Sequence, residues 1–244
     1  MKILVCVKQV PDSWAEKKLS PAKVLDRESA DAVLNDLDEY AVEEALRIVE
    51  ANGGVEAGHT ITLISMGPER AQEALRKGLS MGADSALHIS DDALAGSDAL
   101  TTSRVLAEVI KRESPDLILT GTESTDARMS VVPAMLSERL DMPHLSFAGE
   151  VNVDVNAKVI KTKRMTDEGV EAMESTMPVI VTVIEKINEP RYPSFKGIMA
   201  AKKKPISQLT LADLGISSSE VGASGAWSVV QDFALTPARG AGVK

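Results

Sequence analysis

The feature that most constrains this chain is an alternation, running to about Leu140, between short β-branched runs and longer stretches with helical spacing. Strands separated by helices pair in parallel, because each helix returns the chain across a sheet face. The runs are Ile3 to Val10, closed by Pro11-Asp12, then Thr60 to Ser65, Ser85 to Ser90, and Asp116 to Gly121. A polar excursion from Trp14 to Ala32 precedes the first helix. Asn35 and Asp36 offer its caps, Leu37, Ala41, Ala45 and Ile48 recur at its spacing, and Asn52-Gly53-Gly54 stops it. Pro68 suits the start of a helix from Glu69 to Leu79, where its missing N–H is not needed. Ser97 is expected to cap a helix reaching about Arg112, and another runs from about Ser130 to Leu140. The expectation is a doubly wound α/β sheet, which binds ligands outside the carboxyl ends of its strands where the strand order reverses.

Beyond Pro143 the period changes to two. Phe147 to Val155 and Lys158 to Met165 alternate around an Asn156-Ala157 turn, and Asp167-Glu168-Gly169 makes a second turn. An antiparallel hairpin over 146–176 should therefore sit at the sheet edge. Pro178 to Ile184 reads as a strand buried within the main sheet. From Gln208 only Leu209 to Leu214 is helical, and the rest is rich in Ser, Gly, Ala and Pro. The predicted organisation is an α/β domain over 1–207, including the hairpin and a loop at 188–204, followed by an extended C-terminal arm over 208–244.

Composition narrows the function. Cys6 is the single cysteine, so no intramolecular disulfide forms, and the chain reads as a protein of a reducing compartment. A net charge of −9 and 3% aromatic residues argue against nucleic-acid or anionic-membrane partners. The run Ile3 to Val7 is too short to span a membrane, meets Lys8 at once and lacks a cleavage site, so a cytoplasmic location is expected. His59, His88 and His144 lie too far apart for zinc spacing, and no Walker A, G-x-G-x-x-G or G-x-S-x-G occurs.

Three segments carry candidate chemistry. Gly121-Thr122-Glu123-Ser124-Thr125-Asp126 joins a buried strand to a helix: glycine permits close approach, hydroxyls can donate to phosphate, and the helix start presents free N–H groups. Arg128 adds a charge to an anion there or faces water. Asn35 to Glu39 reads first as helix capping, since acids favour a helix start whatever the function, and Asp38 and Glu39 diverge around the helix. Asn188 to Met199 holds two prolines, a glycine and Phe195, and describes a protruding structured loop. Phe195 reads there as an exposed anchor for a partner, or with Ile198 and Met199 it folds back onto the sheet. Lys202, Lys203 and Lys204 read as a solvated face, and Cys6 as a small buried hydrophobe.

Several motifs together identify a resemblance. Leu4-Val5-Cys6-Val7-Lys8-Gln9-Val10-Pro11-Asp12, Tyr40-Ala41-Val42-Glu43-Glu44-Ala45, Gly78 to Asp84, Asn188 to Tyr192 and Ile198 to Lys204 occur in the order found in electron transfer flavoprotein β subunits. The chain resembles that family over essentially its whole length. The resemblance implies a heterodimer with an α subunit that holds most of the FAD. It also implies a buried AMP in the β subunit, or a second FAD in bifurcating relatives. Electrons would arrive from acyl-CoA and related dehydrogenases and leave to a membrane quinone oxidoreductase, with no catalytic acid, base or nucleophile in this chain. The implied nucleotide pocket comprises Cys6, Asn35, Asp36, Leu37, Asp38, Met66 and Gly121 through Val132. Within that last segment, Thr122, Glu123, Ser124, Thr125, Asp126, Arg128, Ser130, Val131 and Val132 are the pocket residues.

The resemblance further implies that Arg164 lies on a flavin-facing hairpin, and that Tyr192, Phe195, Ile198 and Met199 dock the dehydrogenase. Phe195 stands where the family anchor is typically leucine, and Lys196-Gly197 where Pro-Asn is common. Ala127 to Pro133 offers fewer side-chain donors than the family pattern, leaving a phosphate to backbone N–H groups, Ser130 and Arg128. Met165 replaces a residue often acidic, and Ser13 stands for a tyrosine. Relatives usually continue past Lys244 into a helix that clasps the α subunit. A nucleotide-binding regulator of the stress-protein kind shares the strand and loop logic, but it would be a homodimer and would leave Asn188 to Lys204 without a role.

Overall fold

The structure, a computed structural model, describes residues 1–21, 24–234, 237 and 240. In chain order its strands and helices are β1 (Lys2–Cys6), β2 (Gln9–Pro11), β3 (Ala32–Leu34), α1 (Asp36–Ala51), β4 (Thr60–Met66), α2 (Gln72–Met81), β5 (Ser85–Ile89), α3 (Ala99–Glu113) and β6 (Leu117–Gly121). There follow α4 (Val132–Leu140), β7 (His144–Asp154), β8 (Val159–Thr166), β9 (Gly169–Thr176), β10 (Val179–Val183), α5 (Phe195–Ala201), β11 (Ile206–Leu209), α6 (Leu211–Leu214) and α7 (Gly222–Gly225).

The described residues form a nine-stranded sheet in the order β11-β5-β4-β1-β6-β10-β7-β8-β9, with β2 and β3 paired as a separate ribbon. All pairings from β11 to β7 are parallel, and β7-β8-β9 is antiparallel. Side chains alternate across the pleat, so β1 feeds two cores. Ile3 and Val5 pack with Leu63, Leu119 and Val181 beneath α1 and α2. Leu4 packs with Ile64, Ile118 and Ile180 beneath α3 and α4. Covering both faces with helices is what a parallel sheet of aliphatic strands requires, each buried Leu or Ile contributing about 1.5–3 kcal/mol. The expected α/β class and the antiparallel hairpin are both present. Because β4 and β5 extend from one side of β1 while β6 and β10 extend from the other, the order reverses at β1 and β6.

The structure corrects several local expectations. The first strand does not reach Val10. Lys8 leaves the ladder because its N–H donates to Asp38 Oδ2 at 2.8 Å and its carbonyl accepts from the Asn35 N–H at 2.9 Å. The cap of α3 is Asp98, which accepts from the Thr101 N–H at 2.9 Å, whereas Ser97 Oγ accepts from the Gly222 N–H. Glu69–Ala71 forms a 3₁₀ turn before α2. Helix α4 begins at Val132 because Ser130 is left-handed, with φ 54°. The loop 188–204 contains a short helix, α5, started by Ser194, whose Oγ accepts from the Gly197 N–H at 3.0 Å.

The largest correction concerns the tail. The boundary expected between 207 and 208 falls inside β11, which pairs in parallel with β5. Leu211, Leu214, Ile216 and Val221 are buried in the α3 core. Segment 206–225 therefore belongs to the packed body; the expected arm at 235–236, 238–239 and 241–244 lies outside the described residues. Leu214→Ala should cost about 2–4 kcal/mol, the range for a buried leucine, in urea unfolding. A loss below about 1 kcal/mol would return this segment to the arm.

Candidate functional site at the strand reversal

The first turn of α1 rests directly on the carboxyl ends of β1 and β6. Gly121 makes this possible, since a Cβ there would lie 2.6 Å from the Leu37 carbonyl oxygen and 2.7 Å from Asp38 Oδ1. Asn35 is fully buried and makes no side-chain cap to α1. Its amide instead donates to the Glu123 carbonyl at 2.9 Å and its Oδ1 accepts from the Thr125 N–H at 3.0 Å. The capping role expected of Asn35 is thus replaced by a clamp between α1 and the loop after β6. Burial of so polar a side chain is tolerable because both ends of its amide are satisfied.

Charge is organised around Asp126, whose side chain is wholly enclosed. It accepts from Lys8 Nζ at 2.7 Å, from Arg27 Nη2 at 2.8 Å and from Arg27 Nε at 3.2 Å. Lys8 also donates to Ser124 Oγ at 3.2 Å. Burial opposes ionisation of Asp126, but Lys8, Ser124 and Arg27 outweigh it and hold the carboxyl down to about 2. Asp38 is the opposite case: burial pushes it up to about 7 despite hydrogen bonds from Asn35 and the Lys8 N–H. The Cys6 thiol is pushed up to about 12, first by burial and then by Asp38, so it stays neutral at the end of β1.

Lys8 and Arg27 were not among the residues expected here. A lysine directly after a buried strand was a usable signal for the first. Nothing local marks Arg27, which reaches Asp126 only through the folding of the excursion after β2.

The remaining expected residues are spread over β4, the loop after β6, α1 and the hairpin. Met66 ends β4 beside β1, and Thr122, Glu123, Ser124 and Thr125 form the loop that leaves β6. Ser130 Oγ donates to Glu123 Oε2 at 3.3 Å, Arg128 is exposed with φ 51°, and Val131 precedes α4 without a side-chain cap. Asp36 lies at the outer side of α1, 3.5 Å from Ser13 Oγ, and Leu37 contributes the carbonyl that faces Gly121. Arg164 is held on the hairpin, donating from Nε to Glu171 at 2.7 Å and from Nη1 to Ser146 Oγ at 3.0 Å. No hydrogen bond or ion pair among the described residues ties it to the crevice.

Tyr192, Phe195, Ile198 and Met199 do not fold back onto the sheet. They are 95%, 79%, 45% and 47% exposed and form an apolar face around α5. Lys202 and Lys203 are solvated, but Lys204 is not. Its ammonium donates to the carbonyls of Leu79, Gly82 and Ala83 at 3.1, 3.1 and 2.5 Å, closing the C-terminal end of α2.

Among the described residues no helix is long and apolar enough to cross a membrane, and no group of three or more His, Cys, Asp or Glu could hold a metal ion. A parallel sheet whose strand order reverses at β1 and β6, covered by helices on both faces, defines a doubly wound α/β protein; polar residues gather at its strand ends and the apolar side of α5 is exposed on one flank. The family described as Electron transfer flavoprotein domain matches residues 22–214. The electron transfer flavoprotein subunit beta of Mycobacterium bovis is 49% identical over 99% of this chain and 91% of its own length. The subunit of the same name from Mycobacterium leprae is 48% identical over 99% and 91%, and that from Megasphaera elsdenii 36% over 100% and 90%. The chain belongs to the electron transfer flavoprotein β-subunit family. Membership places it in electron transport as a subunit of a flavoprotein and implies an α-subunit partner.

The raised pKa of Asp38 has a defined sign in stability. The folded chain holds this proton more tightly than the unfolded one, so the contribution is fully present below about pH 4 and is lost as pH rises through about 7. Asp38→Asn removes that titration. The stability of the variant relative to the parent, from urea unfolding at pH 5 and pH 8, should increase with pH. An equal difference at both values would mean that Asp38 titrates as an exposed carboxyl.

Proposed function

We propose that this chain is the small subunit of a heterodimeric electron transfer flavoprotein which carries electrons from acyl-CoA-type dehydrogenases to a membrane quinone oxidoreductase. It acts in the cytoplasm as a carrier component and supplies no catalytic acid, base or nucleophile. One observation carries the nucleotide part of this reading. Cys6, Asn35 to Asp38, Met66 and the segment from Gly121 to Val132, which the family resemblance nominated, lie at strand ends and helix starts around the reversal.

The residues present fit an adenine nucleotide. Cys6 and Met66 offer an apolar wall at two adjacent strand ends, and the first turn of α4 has no side-chain cap. Pro133 removes one N–H from that turn, so an anion would rely on the other backbone donors with Ser130 and Arg128. AMP is the nucleotide proposed here. FAD, shared with the α subunit, would supply the redox chemistry when bound; Arg164 and its hairpin would wall one side of it. The C-terminal residues beyond 225 would contact the α subunit as an arm.

The apolar face of α5 is the proposed docking element for the dehydrogenase. Phe195 buries more area in a partner pocket than a leucine would, and exposed Lys196, Lys202 and Lys203 flank it.

Coexpression with the neighbouring α subunit, followed by denaturation and chromatography of the released nucleotides, tests the assembly. One FAD and one AMP per heterodimer are expected. Two FAD would make it a bifurcating subunit, and a flavin-free homodimer would remove the electron-carrier reading altogether. Phe195→Ala should raise the KM for dehydrogenase about tenfold or more, as loss of an aromatic anchor does, with flavin content unchanged. Loss of flavin from that variant would make the ring structural.

A further inference from the structure

Helix α5 has seven residues and turns its apolar side outward, so neither its length nor burial of that side accounts for its order. Ala201 is its single buried residue. Its C-terminal end is fastened to α2: Arg76 Nη1 donates to the Ala201 and Lys204 carbonyls, both at 2.6 Å. Gly197 allows the close approach, since a Cβ there would lie 2.6 Å from the Ser80 carbonyl oxygen.

The N-terminal end is fastened differently, to α1. Arg191 places its guanidinium against two carboxylates seven residues apart, and therefore on one side of that helix. Nε donates to Glu43 Oε2 at 2.7 Å and Nη2 to Glu43 Oε1 at 3.0 Å, while Nη1 and Nη2 donate to Glu50 Oε1 and Oε2 at 2.6 and 3.0 Å. The Arg191 backbone N–H also donates to Glu43 Oε2, at 3.1 Å, so one carboxylate holds main chain and side chain together. Glu43 is 5% exposed, which makes its ion pair costly to break from one side. Only Tyr192 and Pro193 separate this clamp from the cap residue Ser194, and proline stiffens that short link. Asn188 adds a further tie, donating to the Tyr40 carbonyl at 3.1 Å and to Glu44 Oε2 at 3.0 Å.

We infer that Arg191 is a positioning residue which fixes the start of α5 on α1, so that Phe195, Ile198 and Met199 meet the partner already ordered. The inference rests on the docking reading of α5. A guanidinium is suited to it because a planar fork satisfies both carboxylates at once, whereas lysine keeps the charge and loses the fork. Prior ordering lowers the entropy that binding must otherwise remove, so the effect belongs in partner affinity and not in the electron-transfer step.

The test uses the heterodimer with its FAD, in parent, Arg191→Lys, Glu50→Gln and Phe195→Ala forms, with a substrate-reduced acyl-CoA dehydrogenase as electron donor. Arg191→Lys should speed amide hydrogen exchange across 192–200 about tenfold or more, leaving α1 protected. It should also raise the KM for the dehydrogenase about tenfold, with kcat and the flavin spectrum unchanged. Glu50→Gln, which keeps the Glu43 half of the clamp, should shift both in the same direction by less. Parent-like exchange across 192–200 overturns the inference whatever the kinetics. An unchanged KM in Arg191→Lys while Phe195→Ala raises it also overturns it. An unchanged KM in both, with exchange accelerated, overturns the docking reading instead and leaves the clamp in place. If Arg191→Lys does not fold, Glu50→Gln carries the same two readouts.

Discussion

The contact between the first turn of α1 and the carboxyl ends of β1 and β6 organises the polar cluster at the strand reversal. It brings the Leu37 carbonyl and the Asp38 carboxylate against a glycine, diverts Lys8 out of the ladder, and sends the Asn35 amide into the next loop. Asn35 and Asp38 are removed from water and both have partners, which is the condition for burying them at all. Lys8 and Arg27 then converge on Asp126 and tie the excursion after β2 to the same loop. A side chain at position 121 would separate these pieces, because the obstruction is backbone and a buried carboxylate.

Helix α1 reaches both of the regions proposed to be functional. Its N-terminal turn meets the strand reversal, while Glu43, Glu44 and Glu50 further along hold Arg191 and Asn188 ahead of α5. Its acidic residues therefore divide by position. The low aromatic content also acquires a meaning: Trp14, Phe147, Tyr192, Phe195, Trp227 and Phe233 are all exposed, and the two cores are aliphatic. Six of the seven rings therefore lie at the surface, and Tyr40 alone packs against a core.

Much of the fold was legible in residue periodicity. The parallel strands from Thr60, Ser85 and Asp116 onward, the hairpins around Asn156 and Gly169, and the buried strand after Pro178 are present within a residue or two. These elements bury a continuous face, and burial imposes a period on the residues that do it. β11 escaped because Ile206-Ser207-Gln208-Leu209 presents apolar residues only at its ends, and α5 because its apolar residues point to solvent. Asp98 and Ser97 are both good caps, and the choice between them was made by Gly222, a residue distant in sequence. At the site, Gly121 and Asn35 were visible as residue types, but the crosslink from Asn35 to Glu123 and Thr125 spans about ninety positions and follows from helix packing.

Residue order alone determined the fold class and the family, because hydrophobic period and motif order are properties of the chain itself. Tertiary structure decided which charges meet, which tail residues enter the core and which way α5 faces. Those outcomes depend on distances between elements far apart in sequence. A buried carboxylate such as Asp126 or Glu43 becomes tolerable only when the fold delivers its arginine or lysine.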